Sequence, residues 1–307
     1  MSWHNTKEFG SYLWLNILKA FYTIFGIQFC TILLYPITAV FFLVAGKQRA
    51  ASIEFLRTTS TFPPGINGNV KLYLQSYLHF VEFAISVLHK FAVWQGSIEY
   101  FSYISLGKEK LRDRFNRGLG SVVISAHVGN LEIMRAFSDK IELGVIRPLM
   151  FTKHNPAFLK LLNQSNPDWN VNVIPSDEFR PEVIFDLQEQ IKKGDAIAMY
   201  ADRLMPGSLE KKIACKFLGK DAEFPSGPFV LAYLLECPIF LAFCFREEGC
   251  KYKVYFEEFC ERVNLPRREK NAALSEYVSK YVQRLEYYAR MHPNQWYNFY
   301  SLWTDKS

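Results

Sequence analysis

The chain lacks the signatures of several large protein classes. Its six cysteines (Cys30, Cys215, Cys237, Cys244, Cys250 and Cys260) form no Cys-x-x-Cys pair, and several sit inside apolar runs. That is the pattern of buried reduced thiols, not of a disulfide framework or a zinc site, and it places the main body in a reducing compartment. No second histidine stands at ligand spacing to His127, so no metal site is expected. No Gly-x-Ser-x-Gly elbow occurs, which counts against a serine hydrolase. There is no internal repeat and no low-complexity tract. Near the N-terminus Lys7 and Glu8 precede a long apolar region without a small-residue cleavage pattern, so a removed secretory signal is not expected. Charge is missing altogether from residues 20–46, AFYTIFGIQFCTILLYPITAVFFLVAG.

That uncharged run is long enough to cross a bilayer. Gly26, Gln28, Thr31 and Pro36 interrupt it, so a bent or in-plane helix is as consistent with the sequence as a clean span, and a buried core helix is the third reading. Lys19 on one side and Lys47 with Arg49 on the other give no decisive orientation. Net charge is +6, which favours anionic partners such as a phospholipid surface or an acidic carrier protein. Lysines and arginines are interspersed with acids and no nucleic-acid motif is present, so nucleic acid is not an expected partner.

The 307 residues suffice for one large α/β domain or two small ones. Residues 1–50 are read as a membrane-associating segment and 51–307 as an α/β domain with leading helices. Residues 47–115 read as mostly helical, broken at TFPPGINGN. From about residue 120 the texture alternates. SVVISA, GVIRPLMF, VNVIP, DAIAMYAD, PIFLAFCF and KYKVYFEEF read as strands. NLEIMRAFSDK, PAFLKLLNQS, PEVIFDLQEQIKKG, PSGPFVLAYLLE and ALSEYVSKYVQRLEYYARM read as helices. Such alternation implies a largely parallel sheet with helices on its faces.

The segment His127-Val128-Gly129-Asn130-Leu131-Glu132 follows the strand SVVISA and opens a helix. That junction is the carboxyl end of a strand, where α/β active sites collect. A histidine titrates near pH 6.5 and can accept a hydroxyl proton at neutral pH. A turn at Val128-Gly129 brings the Glu132 carboxylate within reach of the imidazole, fixing its tautomer and stabilising the imidazolium. Gly129 permits close backbone approach, and Asn130 can order the turn or line an oxyanion. On spacing alone, an ordinary loop histidine is the competing reading. Asp202 and Arg203 follow the strand DAIAMYA at a second strand end. Arg203 can hold a phosphate or phosphopantetheine group bidentately, or form a plain surface pair with Asp202. Lys211, Lys212 and Lys216, with Arg267, Arg268 and Lys270, can meet an acidic carrier protein or anionic lipid, or simply be solvated.

S-A-H-V-G-N-L-E resembles the His-x4-acid block of the lysophospholipid acyltransferase superfamily, and most closely the bacterial lipid A late-acyltransferase branch. A-D-R at 201–203, F-L-G-K-D-A-E-F-P-S-G-P-F at 217–229, L-L-E-C-P-I-F-L-A-F at 234–243 and H-P-N-Q-W-Y-N-F-Y at 292–300 resemble further blocks in that family's order. G-S-Y-L-W-L-N and S-I-E-F-L-R resemble a subgroup associated with aryl polyene or fatty-acid-like gene clusters. The resemblance implies a globular α/β domain on an N-terminal anchor, at the cytoplasmic side of the bacterial inner membrane. It implies an acyl carrier protein or coenzyme A thioester as donor, a hydroxyl or amine of a membrane lipid or lipid precursor as acceptor, and no bound cofactor. His127 matches the catalytic base and Glu132 its charge-relay partner. Phe224, Pro225, Ser226 and Gly227 match the block that holds the acceptor, with Ser226 where a glutamate is usual; a helix N-cap is the other reading of Ser226. The segment K-H-N-P-A-F-L-K-L-L-N-Q-S-N-P offers only Lys153, His154 and Lys160 where related enzymes often carry arginine, a departure that bears on the acceptor. A membrane-bound thioesterase or lipid hydrolase using the same dyad on water, and a non-catalytic lipid-binding protein, are the alternatives.

Overall fold

The computed structural model describes residues 12–59, 66–137, 144–150, 173–175, 181–204 and 211–304. Every residue of strand β2 (Ser121–Ser125) is buried. Such a strand needs pairing on both edges and helices on both faces. Strand β5 (Ala196–Tyr200) pairs with one edge and β8 (Ile239–Glu248) with the other, both parallel. Adding β1 (Ser102–Leu106), β3 (Ile146–Met150), β4 (Ile174–Pro175) and β9 (Lys251–Cys260) gives a seven-stranded sheet of order β1-β9-β8-β2-β5-β3-β4. All neighbours are parallel except β8 and β9, which form a long antiparallel pair. The mostly parallel α/β sheet read from the sequence is therefore the fold.

Alternate side chains of the central strands enter two separate cores. Val122, Ile124, Ile197, Met199, Leu241 and Phe243 face one core, built with α6 (Pro181–Lys192), α7 (Gly227–Leu235) and α8 (Lys270–Met291). Val123, Ala198, Phe240, Ala242 and Cys244 face the other, built with α3 (Ile66–Trp94), α4 (Glu109–Asn116) and α5 (Leu131–Ala136). The period of two is the pleat of the strand. Helix α8 buries Leu274, Val278, Tyr281, Leu285 and Tyr288, the three- and four-residue spacing of one helical face. Full burial of each large apolar side chain contributes roughly 2 kcal/mol.

Two elements depart from the sequence reading. Residues 102–106, inside the stretch read as helical, form the edge strand β1, whose alternate residues are exposed. A hairpin of β6 (Lys212–Phe217) and β7 (Lys220–Pro225) stands apart from the main sheet. The helix expected over PAFLKLLNQS, with Lys153, His154 and Lys160, lies outside the described residues. So do the first two residues of VNVIP and part of TFPPGINGN.

Helix α1 (Tyr12–Val44) precedes α2 (Gly46–Thr59). Its backbone leaves helical geometry at Gly26, at φ 74°, ψ 176°, and Pro36 lies within it. The stretch Phe21–Val44 is long and apolar enough to cross a membrane, and only 17% of its most apolar window is buried within the chain. Phe25, Phe29, Ile32, Val40 and Leu43 are exposed along it. On α3, which packs against α1, Ile66, Val70, Tyr73 and Leu74 are exposed as well.

Candidate active site

Strands β2 and β5 run in parallel with Ser125 paired to Tyr200. Two residues beyond these partners stand His127 and Asp202, so the register alone brings them side by side at the carboxyl edge. The contact is double. His127 donates its backbone N–H to Asp202 Oδ2 at 3.0 Å, and His127 Nδ1 lies 2.8 Å from Asp202 Oδ1. A carboxylate only accepts, so Nδ1 carries the hydrogen and Nε2 keeps its lone pair. The Asp202 side chain is fully buried, whereas that of His127 is 31% exposed. Asp202 occupies the Nδ1 side of the ring, which leaves Nε2 as its free nitrogen. Tyr200 stacks on the imidazole at 4.3 Å.

Electrostatics set the charge state of this pair. Burial by itself raises the pKa of Asp202, but the charge and hydrogen bonds of His127, together with Arg203, bring it down to about 2. Burial and the positive charges of Arg203 and Lys90 lower the pKa of His127 against the opposing pull of Asp202. At neutral pH the pair is a carboxylate beside a neutral imidazole, the arrangement of a general base.

Glu132, the partner expected from the sequence, pairs instead with Arg135 at 3.7 Å. It also interacts electrostatically with Lys90 on α3 and with Tyr200. The helix that follows His127 is short, and the turn before it points Glu132 toward α3 while the strand register delivers Asp202 to the imidazole.

The loop from 127 to 130 is held by its backbone. Asn130 N donates to Cys244 O at 2.6 Å and Gly129 N to Gln295 O at 2.7 Å. Gly129 has φ +74°, and a Cβ placed there would lie 2.1 Å from Cys244 O. Only glycine fits that approach. Asn130 is buried and donates through Nδ2 to Ser86 O at 3.1 Å, so its side chain ties the loop to α3.

The C-terminal segment closes the site from the other side. Tyr297 N donates to His127 O at 2.9 Å, and Val128 bridges Trp296. Trp296 Nε1 lies 3.4 Å from Asp202 Oδ2, a third donor to the same carboxylate. Arg203 donates from Nη2 to Tyr297 O at 2.8 Å, and its guanidinium lies over the Tyr300 ring at 5.7 Å. Gln295 clamps Arg246, accepting from its N–H at 2.9 Å and donating to its carbonyl at 2.7 Å. His79 of α3 fixes the strap from behind, with Nε2 2.8 Å from Trp296 O and Nδ1 2.9 Å from Ser52 Oγ, to which Ser76 donates in turn. The block H-P-N-Q-W-Y was read from its resemblance without a role for any residue. A tryptophan reaching back over 94 positions to a carboxylate leaves no periodic trace in sequence.

The block at 224–227 lies farther from the dyad. Phe224 is buried and meets Phe217, which packs on Trp296 at 5.0 Å. Ser226 is buried and donates through Oγ to Lys211 O at 2.8 Å, with no side-chain bond into the helix it precedes. Pro225 ends β7 and Gly227 begins α7. Beside Tyr200 a small pocket is walled by Leu131, Met134, Ile146, Pro148, Ala198 and Met199, with Glu132, Arg135 and Tyr200 contributing its polar groups. All six cysteines are free thiols. Among the described residues no group of three or more His, Cys, Asp or Glu side chains could hold a metal ion.

No curated protein matches the chain significantly. Residues 81–305 match the family of bacterial lipid A biosynthesis acyltransferases. This stretch holds the whole sheet, His127, Asp202 and the C-terminal strap, and it covers well over half of the chain. The protein belongs to the bacterial lipid A biosynthesis acyltransferase family and is an acyltransferase.

Proposed function

We propose that the protein moves a fatty acyl group from a thioester, carried by acyl carrier protein or coenzyme A, to a hydroxyl or amine of a membrane lipid or lipid precursor. His127 is the general base of this reaction and Asp202 its carboxylate partner. The acceptor O–H or N–H gives its proton to His127 Nε2 as the acceptor atom attacks the thioester carbonyl. The tetrahedral intermediate collapses with cleavage of the C–S bond, and the imidazolium returns the proton to the departing thiolate. No acyl-enzyme forms. Asp202 stabilises the transient imidazolium and holds the tautomer that leaves Nε2 unprotonated.

The observation that carries this reading is the double contact of His127 with a buried aspartate while its side chain stays partly exposed. Apolar side chains, among them Leu131, Ile146, Pro148 and Met199, line the small pocket beside Tyr200. Glu132, with Arg135, sets the charge there. Gly129 and Asn130 shape the loop, Arg203 faces the anionic part of a substrate, and the 224–227 block supports the acceptor side.

The exposed apolar face of α1 and the first turns of α3 fit a lipid surface, with the catalytic domain on the cytoplasmic side of the inner membrane, where thioester donors and reduced thiols occur together. The test is transfer of a labelled acyl group from a thioester to lipid extract by the full chain in detergent. Label in lipid that requires both donor and acceptor supports the reading. Release of free fatty acid at the same rate without acceptor means a thioesterase instead.

A further inference from the structure

Alternate residues of a strand share a face, so Ala198 and Tyr200 lie on the same side of β5. Ala198 is buried in the core that α5 helps to build, and Tyr200 follows it, half-buried, at the carboxyl end of the strand. His127 reaches across from β2 to meet Asp202, and this lays its ring on the ring of Tyr200. The two centroids are 4.3 Å apart and the planes 27° from parallel. The stack is therefore a consequence of the same register that pairs the histidine with the aspartate.

A single side-chain hydrogen bond does not fix the plane of an imidazole. Asp202 holds the Nδ1 corner, and the ring can still turn about that bond. A flat ring against its face removes this freedom and sets the direction in which Nε2 points. The stack also distinguishes the two charge states of the base. The face of a phenol ring carries partial negative charge, so it attracts an imidazolium more strongly than a neutral imidazole. Around His127, Asp202 favours the imidazolium, whereas Arg203 and Lys90 oppose it. On the side of α5, Glu132 and Arg135 line the small pocket that Tyr200 also borders. An interaction that strengthens as the base takes its proton lowers the barrier itself and does not merely tighten binding.

We propose that Tyr200 is a positioning residue of the reaction, whose ring face fixes the plane of the His127 imidazole and stabilises the imidazolium formed on proton transfer. Its part in catalysis rests on the general-base reading above. Tyr200 acts on the substrates only through His127, and it does so with its ring, not its hydroxyl. A ring that merely covered the imidazole would keep water away and so disfavour the charged form. Removing the ring therefore moves the titration of His127 down if the stack stabilises the imidazolium, and up if the ring is only a cover.

The test titrates His127 by NMR in the full chain in detergent, with labelled histidine and the spectrum of His127→Ala as assignment, beside transfer assays on the same samples. Tyr200→Leu should lower the His127 midpoint by about 0.7 pH unit. Its kcat should fall about fivefold with KM within about twofold of wild type, and the acid limb of the rate should move down with the NMR midpoint. Tyr200→Met, which fills similar space without a ring, should behave alike and takes its place if the leucine variant melts early. Tyr200→Phe keeps the ring, so it should keep the midpoint and hold kcat within about twofold of wild type. A midpoint that rises or stays in place in the ringless variants makes Tyr200 a packing residue and overturns the proposal. Equal losses in Tyr200→Phe and Tyr200→Leu would assign the effect to the hydroxyl and overturn it too. The NMR titration needs no turnover, so the two readings fail separately. Midpoints that shift as described, with no acyl transfer by wild type, would leave the stack standing and remove the acyl-transfer reading. Transfer by wild type with unmoved midpoints would do the reverse.

Discussion

Replacing Asp202 by asparagine keeps the size of the side chain and removes its charge. In the wild type a buried carboxylate stands 2.8 Å from His127 Nδ1. When the imidazole becomes imidazolium during proton transfer, the two charges are centred about 4 Å apart. At an effective dielectric constant of about 20 their attraction is about 4 kcal/mol. Loss of that stabilisation in the transition state corresponds to a fall in kcat of about 10³-fold. An asparagine can also present its amide N–H to Nδ1, which would favour the tautomer with hydrogen on Nε2 and block the base outright. The companion change, Glu132→Gln, leaves the His127–Asp202 contact intact. It breaks a mostly buried pair with Arg135, so it should destabilise the fold by roughly 3 kcal/mol and lower kcat per folded molecule by less than about tenfold. Both variants are assayed for acyl transfer at saturating donor and acceptor, with thermal melting to correct for the folded fraction. A folded Asp202→Asn enzyme with near-normal kcat, beside a dead Glu132→Gln, would refute the assignment of the carboxylate role.

Other expectations follow from the surroundings of the dyad. Trp296→Phe removes the indole donor to Asp202 but keeps a ring against Phe55 and Phe217; kcat should fall about fivefold, the equivalent of about 1 kcal/mol, with KM unchanged. His79 is buried and its pKa is lowered by that burial to about 4, the hydrogen bond to Trp296 opposing weakly. The unfolded chain therefore binds the proton first: the His79 contribution is fully present above about pH 6.5 and is lost as pH falls toward 4, to a total of about 3 kcal/mol. Melting curves from pH 7 to 4 should show this slope, and His79→Gln should flatten it. Gly129→Ala puts a methyl group against Cys244 O at a positive φ; it should cost at least about 2 kcal/mol of stability and abolish transfer.

The sheet was readable because its strands are short apolar runs between turn signals, and α8 because its apolar residues keep a helical period over 22 residues. Strand β1 was hidden: F-S-Y-I-S-L comes only a short turn after the long helix α3, and an edge strand with one face in water carries too few apolar residues to stand out. At the site, His127 was legible from its place after β2. Asp202 was legible as a strand-end acid, but its pairing with His127 is a matter of register between β2 and β5, which sequence spacing does not encode. The His-x4-acid spacing drew attention to Glu132, where a glycine turn decides the direction of the following helix and sends the carboxylate toward Arg135. Lys90 and Trp296 belong to elements 37 positions before and 169 positions after the histidine. Only packing brings them to it.

The most direct measurement is the pH dependence of single-turnover acyl transfer from a labelled thioester by wild type and His127→Ala. With His127 as a neutral base of lowered pKa, wild-type rates should rise with pH to a plateau whose acid limb has its midpoint below 6.5. His127→Ala, folded by its melting curve, should show at least about 10³-fold less transfer and no such limb. A folded His127→Ala protein that transfers acyl groups at the wild-type rate, with the same acid limb, would contradict the account.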